Sequence, residues 1–173
     1  MVDLMNIRRL LHHLTITEAQ VRRSFSPETR QRIEQAIATS ENQHGGELRF
    51  IVERALEGTA LWQALWNALP PRERAIELFS SLRIWDTEHN SGVLIYVLLA
   101  DRSVEIVADR GIHAKVGESA WTMICEAMEN RFRKGEFESG ALEGIESITR
   151  LLATHFPPAL NDKNELPDFP AII

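Results

Sequence analysis

Apolar residues recur with two different periods along this chain. Leu4, Ile7, Leu10, Leu11 and Leu14 are spaced by one to four residues in a helical pattern, with Arg8, Arg9, His12 and His13 falling largely between them. That predicts an amphipathic helix with two open roles: packing on the domain, or docking on a membrane surface or a partner. Thr17 and Gln20 have capping-box spacing for a second short helix. Ser26-Pro27 is a stronger start signal, because serine supplies an N-cap oxygen and proline suits the first helical position. Ile33, Ala36 and Ile37 then mark the buried stripe of a helix running to about Gln43, which His44-Gly45-Gly46 ends.

The period changes to two at Glu47–Glu53, ELRFIVE. Leu48, Phe50 and Val52 face one way and Arg49 and Ile51 the other, as in a strand. In ALWQALWNAL, Ala60–Leu69, Trp62 and Trp66 share a helix face and line either a core or a groove. Pro70-Pro71 breaks that segment, and Ala75, Ile76, Leu78, Phe79 and Leu82 continue as an amphipathic helix. Gly92–Ala100, GVLIYVLLA, is apolar on both faces, the signature of a central strand covered on both sides. Asp101-Arg102-Ser103 is a short turn, so Ser103–Ala108 returns as the second strand of an antiparallel hairpin.

Two helical stripes follow, Trp121, Ile124, Cys125, Met128 and Phe132, then Leu142, Ile145, Ile148, Leu151 and Leu152. From Phe156 the chain carries four prolines and little periodicity, which predicts an extended arm. Helices on both sides of a central strand, with a hairpin inside, imply an α/β fold: a three-layer α/β/α sandwich with a small mixed sheet. The predicted organisation is a helical extension over 1–25, a domain over 26–155 and a tail over 156–173.

Composition narrows the function classes. At 173 residues, 44% hydrophobic and 25% charged, the chain is long enough to bury one core. Its single cysteine, Cys125, excludes an intrachain disulfide and a Cys-rich metal motif and fits a reducing compartment. The longest apolar run in the first sixteen residues is two, too short for a signal h-region, and no stretch spans a membrane. The expected location is cytoplasmic. Net charge is −6, with +3 over residues 1–33 and −9 over the rest. An acidic body argues against nucleic-acid binding, while the basic N-terminal part suits anionic lipid or an acidic partner.

Candidate chemistry gathers in the loop WDTEHNSG, Trp85–Gly92, which carries Asp86, Thr87, Glu88, His89 and Asn90. Hard oxygen donors of this kind suit Ca²⁺ or Mg²⁺, although the loop runs straight into a strand and lacks the later glutamate of an EF-hand. A composite site sharing ligands across loops and a solvated polar loop are both open. Two Asp-Arg pairs bracket the last strand, Asp101-Arg102 and Asp109-Arg110. Eight extended residues separate the two aspartates by roughly 26 Å, so one ion cannot use both. The hairpin places Asp109-Arg110, at the start of the loop ADRGIH, beside Asn90 and Asp86. Asp101-Arg102 belongs to the turn at the far end.

Metal candidates are therefore Asp86, Asn90 and Asp109, and ligand-binding candidates are Arg110 and Asn90. His113 is the histidine to consider as an acid or base. Nucleotide-loop, nucleophile-elbow and H-E-x-x-H patterns do not occur. Cys125 lies on an apolar helical stripe and reads as core. Arg131, Arg133 and Lys134 group at a helix end, where they suit the helix dipole or a phosphate.

The run NSGVLIYVLLADRSVEIVADRGI, followed at helical distance by FRKGEFESGALEGIESITRLL, resembles the TPM domain. The family has a D-N-G-V-L turn-strand, then D-R-K-V-R-I, then a G-x-G-L-E turn, and later an F-R-x-G-x-Y-x-x-G run. Asn90, Gly92, Val93 and Leu94 match the first piece; Asp101, Arg102, Val104 and Ile106 the second; Gly111 the third. Phe132, Arg133, Gly135 and Gly140 match the last, and GGELRFIVE is similar to the family's first strand. Ser91 departs from the usual Asn, and Asp109 and His113 stand where Gly and Glu are frequent.

The resemblance covers about residues 26–155. It implies an α/β/α sandwich of Rossmann-like appearance and a divalent cation, Ca²⁺ or Mg²⁺, at the strand-end cleft, with no organic cofactor. It also implies a cytoplasmic partnership at the inner membrane with a membrane protein, such as a LemA-type protein. Two functions are expected from different classes. One is a non-catalytic interaction module serving a membrane-associated complex. The other is a metal-dependent acid phosphatase in which Asp86 and Asp109 hold the ion, Arg110 clamps phosphate and His113 is the acid. Oligomeric state is left open.

Overall fold

The computed structural model describes residues 4–56, 71–87, 89–158 and 164–173, with side chains from Arg9 onward. Trp62, Trp66 and Glu88 lie outside the described residues. Chain order is α1 (Leu4–Thr15), α2 (Glu18–Ser24), α3 (Pro27–Glu41), β1 (Glu47–Glu53), α4 (Pro71–Ser81), β2 (Gly92–Leu98) and β3 (Ser103–Ala108). It continues through α5 (Arg110–Val116), α6 (Glu118–Arg133), α7 (Phe137–His155) and β4 (Ala171–Ile172).

The helix starts follow from local chemistry. Thr17 accepts from the Gln20 backbone N–H while the Gln20 side chain accepts from Thr17 N, a complete capping box. Ser26 caps α3 through Thr29 N, with Pro27 as its first helical residue.

One mixed sheet runs in the order β3-β2-β1-β4. β1 and β2 are parallel, with Glu47 opposite Gly92 and Glu53 opposite Leu98. β2 and β3 form the expected antiparallel hairpin, with Val93 opposite Ala108 and Leu98 opposite Ser103. Every residue of β2 is buried, which is why its sequence is apolar without alternation.

The two sheet faces carry separate cores. Leu48, Phe50, Val52, Val93, Ile95, Val97, Val104 and Ile106 face α3, α6 and α7. The same core takes in Ile16, Val21 and Phe25 from the N-terminal segment. Phe25 meets Phe132 edge-on, with ring centroids 6.1 Å apart. On the other face Ile51, Leu94, Tyr96, Leu98 and Val107 pack with Ala75, Leu78 and Phe79 of α4. Helices on both faces make the three-layer α/β/α sandwich that the pattern predicts. Ile76 and Leu82, predicted on the apolar side of α4, are instead about half-exposed.

A polar network crosses the second core. Tyr96 donates from its hydroxyl to Glu53 at 2.7 Å, and Arg74 pairs with Glu53 at 2.9 Å. Burial and the adjoining Glu53 carboxylate push the Tyr96 phenol well above its ordinary range.

The C-terminal segment returns to the sheet. Ala171 and Ile172 pair in parallel with Ile51 and Val52, and Ile173 N donates to Val52 O at 3.0 Å. Where this segment passes α3, Glu41, Glu47 and Asp168 line one cavity of about 140 Å³. Burial pushes Glu41 up to about 8, with the Glu47 and Asp168 carboxylates adding to the rise. A glutamate raised above its ordinary 4.5 contributes stability that is complete below that value and lost as pH rises through 8. The melting temperature is therefore expected to fall from pH 5 to 8.5, and Glu41→Gln to flatten that slope; equal slopes in scanning calorimetry would contradict this.

Candidate functional site

The two Asp-Arg pairs lie at opposite ends of the hairpin and have different roles. Asp101 is in the β2–β3 turn, where Arg102 has φ 52, a left-handed conformation suited to a tight reversal. Beyond that turn role, Asp101 holds the N-terminal helix. Arg9 donates from Nε to both Asp101 oxygens, at 3.0 and 2.9 Å, and from Nη2 at 2.5 Å. His13 Nε2 lies 3.0 Å from Asp101 Oδ1, and His13 Nδ1 accepts from Leu56 N at 3.0 Å. Because Nδ1 is an acceptor, Nε2 is the nitrogen that donates to the carboxylate. Burial disfavours the Asp101 anion, yet hydrogen bonds from His13 and Arg9 outweigh it and hold the carboxyl below its ordinary value. The amphipathic spacing of α1 shows none of this, since helical phase alone does not reveal a partner about ninety residues away.

Asp109-Arg110 forms the other end. Ala108–His113 reads as a loop in the sequence, but the structure turns it into α5. Asp109 is its N-cap, and Oδ1 accepts from Arg110 N at 2.6 Å. Two signals could have revealed this helix: an Asp cap, and Ile112 and Val116 four apart on the core side. Gly111 inside the first turn masks both. A side chain there would meet Asn90 O at 3.1 Å, so glycine lets the Asn90 loop close against α5.

The loop is held from within. Thr87, which is buried, accepts at Oγ1 from Ser91 N at 2.9 Å, and Asn90 N donates to Thr87 O at 3.2 Å. Asn90 has φ 50, which asparagine tolerates better than most residues. Ser91 O accepts from Glu47 N, and Gly92 O accepts from Asp109 N at 2.9 Å, so the loop is tied to β1 and to the end of β3.

These ties bring Asn90, Asp109 and Arg110 to one cleft of about 260 Å³, with Phe79, Ser80 and Trp85. Asp109 is 8% exposed, and its Oδ2 is buried with no hydrogen-bond partner among the described residues. A buried carboxylate oxygen left in this state is costly unless a cation or water meets it. Arg110 is exposed at the rim.

The remaining sequence-predicted residues lie elsewhere. Asp86 is exposed, 3.9 Å from Arg83, and does not line the cleft. His113 is on α5 but lines a second cavity of about 360 Å³ along the β3 edge, with Glu105, Trp121 and Cys125. Burial, with Glu105 nearby, pushes the Cys125 thiol up to about 12, leaving it inert at neutral pH. Arg131 pairs with Glu136 and Glu143, and Arg133 with Glu129, so two of the three helix-end cations already have carboxylate partners. Among the described residues no three His, Cys, Asp or Glu side chains converge as a ready metal cage.

An open mixed sheet between two helical layers, with a polar cleft where the hairpin meets a capped helix, places this chain among α/β/α sandwich domains. It belongs to the TPM domain family, whose model matches residues 20–151. The solved NMR structure of the BA42 protein from the psychrophilic bacterium Bizionia argentinensis is similar, with TM-score 0.72 and 30% sequence identity. That similarity covers 84% of this chain and 93% of the other. Comparison with curated proteins finds no match. Among the described residues, no helix is long and apolar enough to cross a membrane.

Proposed function

We propose that this chain is a non-catalytic TPM module that binds a divalent cation in the cleft at Asp109 and Asn90 and serves as a cytoplasmic accessory to a membrane-associated protein complex. The observation that carries the cation reading is Asp109 Oδ2, a buried carboxylate oxygen with no protein partner among the described residues, lining the same cleft as Asn90. One carboxylate and one carboxamide are too few for the six to eight oxygens of a Ca²⁺ cage. Mg²⁺, which keeps several waters and uses one or two carboxylates, suits this donor set better. Binding rather than catalysis is favoured because four groups able to move protons or attack lie outside this cleft. His13 is held between Leu56 and Asp101, and His44 between Gly46 N and Ser40. Cys125 is inert, and His113 lines a different cavity.

A metal-dependent phosphatase is the second reading, favoured by the exposed Arg110 guanidinium beside the Asp109 carboxylate. Melting curves with Mg²⁺ or Ca²⁺ test the first reading. At about 100 times Kd a bound ion adds roughly 2.7 kcal/mol, which raises the melting temperature by about 5–10 °C in a chain of this size. Asp109→Asn is expected to remove that rise. Hydrolysis of p-nitrophenyl phosphate that needs Mg²⁺ and is lost in Asp109→Asn would overturn the binding-only reading in favour of the second.

A further inference from the structure

We propose that the outer edge of β1 is a peptide-docking site, filled in this structure by the chain's own C-terminal segment, which an extended apolar partner peptide displaces by parallel strand addition. This surface is independent of the Asp109 cleft and does not rest on the cation reading.

The argument begins with which atoms are recognised. Glu47 Oε2 accepts from Glu165 N at 3.1 Å and Leu166 N at 3.0 Å. Arg49 Nη1 donates to Pro167 O at 2.6 Å and Phe169 O at 2.8 Å. Val52 O accepts from Ile173 N at 3.0 Å, and Arg54 N donates to Ile173 O at 2.9 Å. All six contacts are to the main chain of the docked segment. The Glu47 and Arg49 side chains and the end of β1 thus engage an extended backbone, related to β-augmentation.

Side-chain contacts add to this: Arg30 lies over the Phe169 ring, 5.6 Å from its centroid, and aliphatic residues pack on both cores. Leu166 and Ala171 pack on the smaller core, and Ile172 on the larger. Pro167 and Pro170 are tolerated because the contacts to this stretch use carbonyls at 167 and 169, not the N–H groups that proline lacks. The ligand class is therefore an extended peptide with aliphatic residues spaced like Leu166, Ala171 and Ile172, with prolines allowed between them.

The resident segment is suited to exchange. Its regular pairing is two residues long, both only half-buried. Phe169 and Ile173 are 46% and 49% exposed. The family match includes all of β1 and ends at residue 151, so the docking edge belongs to the shared domain and the segment filling it does not. An uncovered β1 would present unpaired backbone groups, the hazard that edge strands must avoid and the template a partner strand needs.

The test uses the full-length chain and a fluorescein-labelled peptide, NELPDFPAII, copied from residues 164–173. In the unsubstituted protein the resident segment competes at an effective concentration on the order of millimolar, so the added peptide binds weakly. Ile172→Asp in the protein loosens the resident segment and is expected to tighten peptide binding about ten-fold or more. Adding Arg49→Ala to that variant is expected to reverse most of the gain. A second measurement needs no substitution: millimolar unlabelled peptide added to ¹⁵N-labelled protein should move the amide signals of Glu165, Leu166 and Ile173 to unstructured positions. Equal affinity with and without Ile172→Asp, together with tail signals that stay in place, would overturn the proposal.

Discussion

Gly92→Ala is expected to lower stability by at least about 3 kcal/mol, at the upper end of what overpacking costs, and to take the Asp109 cleft with it. A Cβ at this position would stand 1.9 Å from Ile84 O and 2.9 Å from the carbonyl carbon behind it. Both obstacles are backbone, so no rotamer change relieves them. Ile84 cannot withdraw easily: it is 1% exposed in the smaller core, and its N–H is bonded to Phe79 O at 3.0 Å. Arg83 before it already has φ 54, a strained value for a non-glycine residue. Gly92 is fixed too, lying opposite Glu47 in the ladder and accepting from Asp109 N at 2.9 Å. Any shift that makes room therefore moves the Asp109 backbone or the loop carrying Asn90. A fall of about 6–12 °C in melting temperature is expected by circular dichroism. A variant melting within about 2 °C of the parent would contradict this packing.

Asp101→Asn is the second large effect, and it acts on α1. The substitution leaves Arg9 without its countercharge and weakens the acceptor for His13, whose side chain is fully buried. Breaking a buried pair by removing one partner costs about 3–5 kcal/mol. Arg9 is 28% exposed, so solvent lowers the figure to about 2–3 kcal/mol here. Amide exchange should accelerate across Leu10–Thr15 and at Leu56 while the hairpin stays protected.

The pH sign is also determined. The folded-state value of Asp101 lies below its ordinary 3.8, so the stabilisation is present above 3.8 and lost as pH falls through the lower folded value. The parent is expected to lose α1 protection on acidification, whereas Asp101→Asn starts without it. Unchanged exchange in α1 at pH 7 would rule out this latch.

How much was legible in the sequence depended on the range of the contacts involved. β1 and β3 were readable to the residue, and β2 at its start, because alternation and unbroken apolarity are local signals. The hairpin followed from its short turn, which in turn separated the two Asp-Arg pairs. α5 was missed because Gly111 resembles a turn residue, and only the closed approach of the Asn90 loop explains why glycine stands there. The Arg9–His13–Asp101 latch and the docking of Glu165–Ile173 on β1 join residues about ninety to one hundred and twenty positions apart. Periodicity carries no information at that separation.

The candidate site was partly visible for the same reason. Asn90 and Asp109-Arg110 were expected together from hairpin geometry, and they line one cleft. Asp86 is four residues upstream of Asn90, but the turn after α4 leaves its carboxylate at the surface near Arg83. His113 is four residues beyond Asp109, yet the helical turn of α5 carries it to the cavity along β3. A loop at His113 would have allowed its side chain to swing toward the cleft, and a helix does not.

The proposed cation role stands on one oxygen atom, so the most direct measurement observes its surroundings residue by residue. In a ¹H–¹⁵N titration with MgCl₂, then CaCl₂, saturable shifts are predicted at Asn90, Asp109, Arg110 and Gly111, and are predicted to vanish in Asp109→Asn. Saturable shifts confined to the carboxylates around Glu41, Glu47 and Asp168, or no saturation at millimolar ion, would contradict a cation site at Asp109.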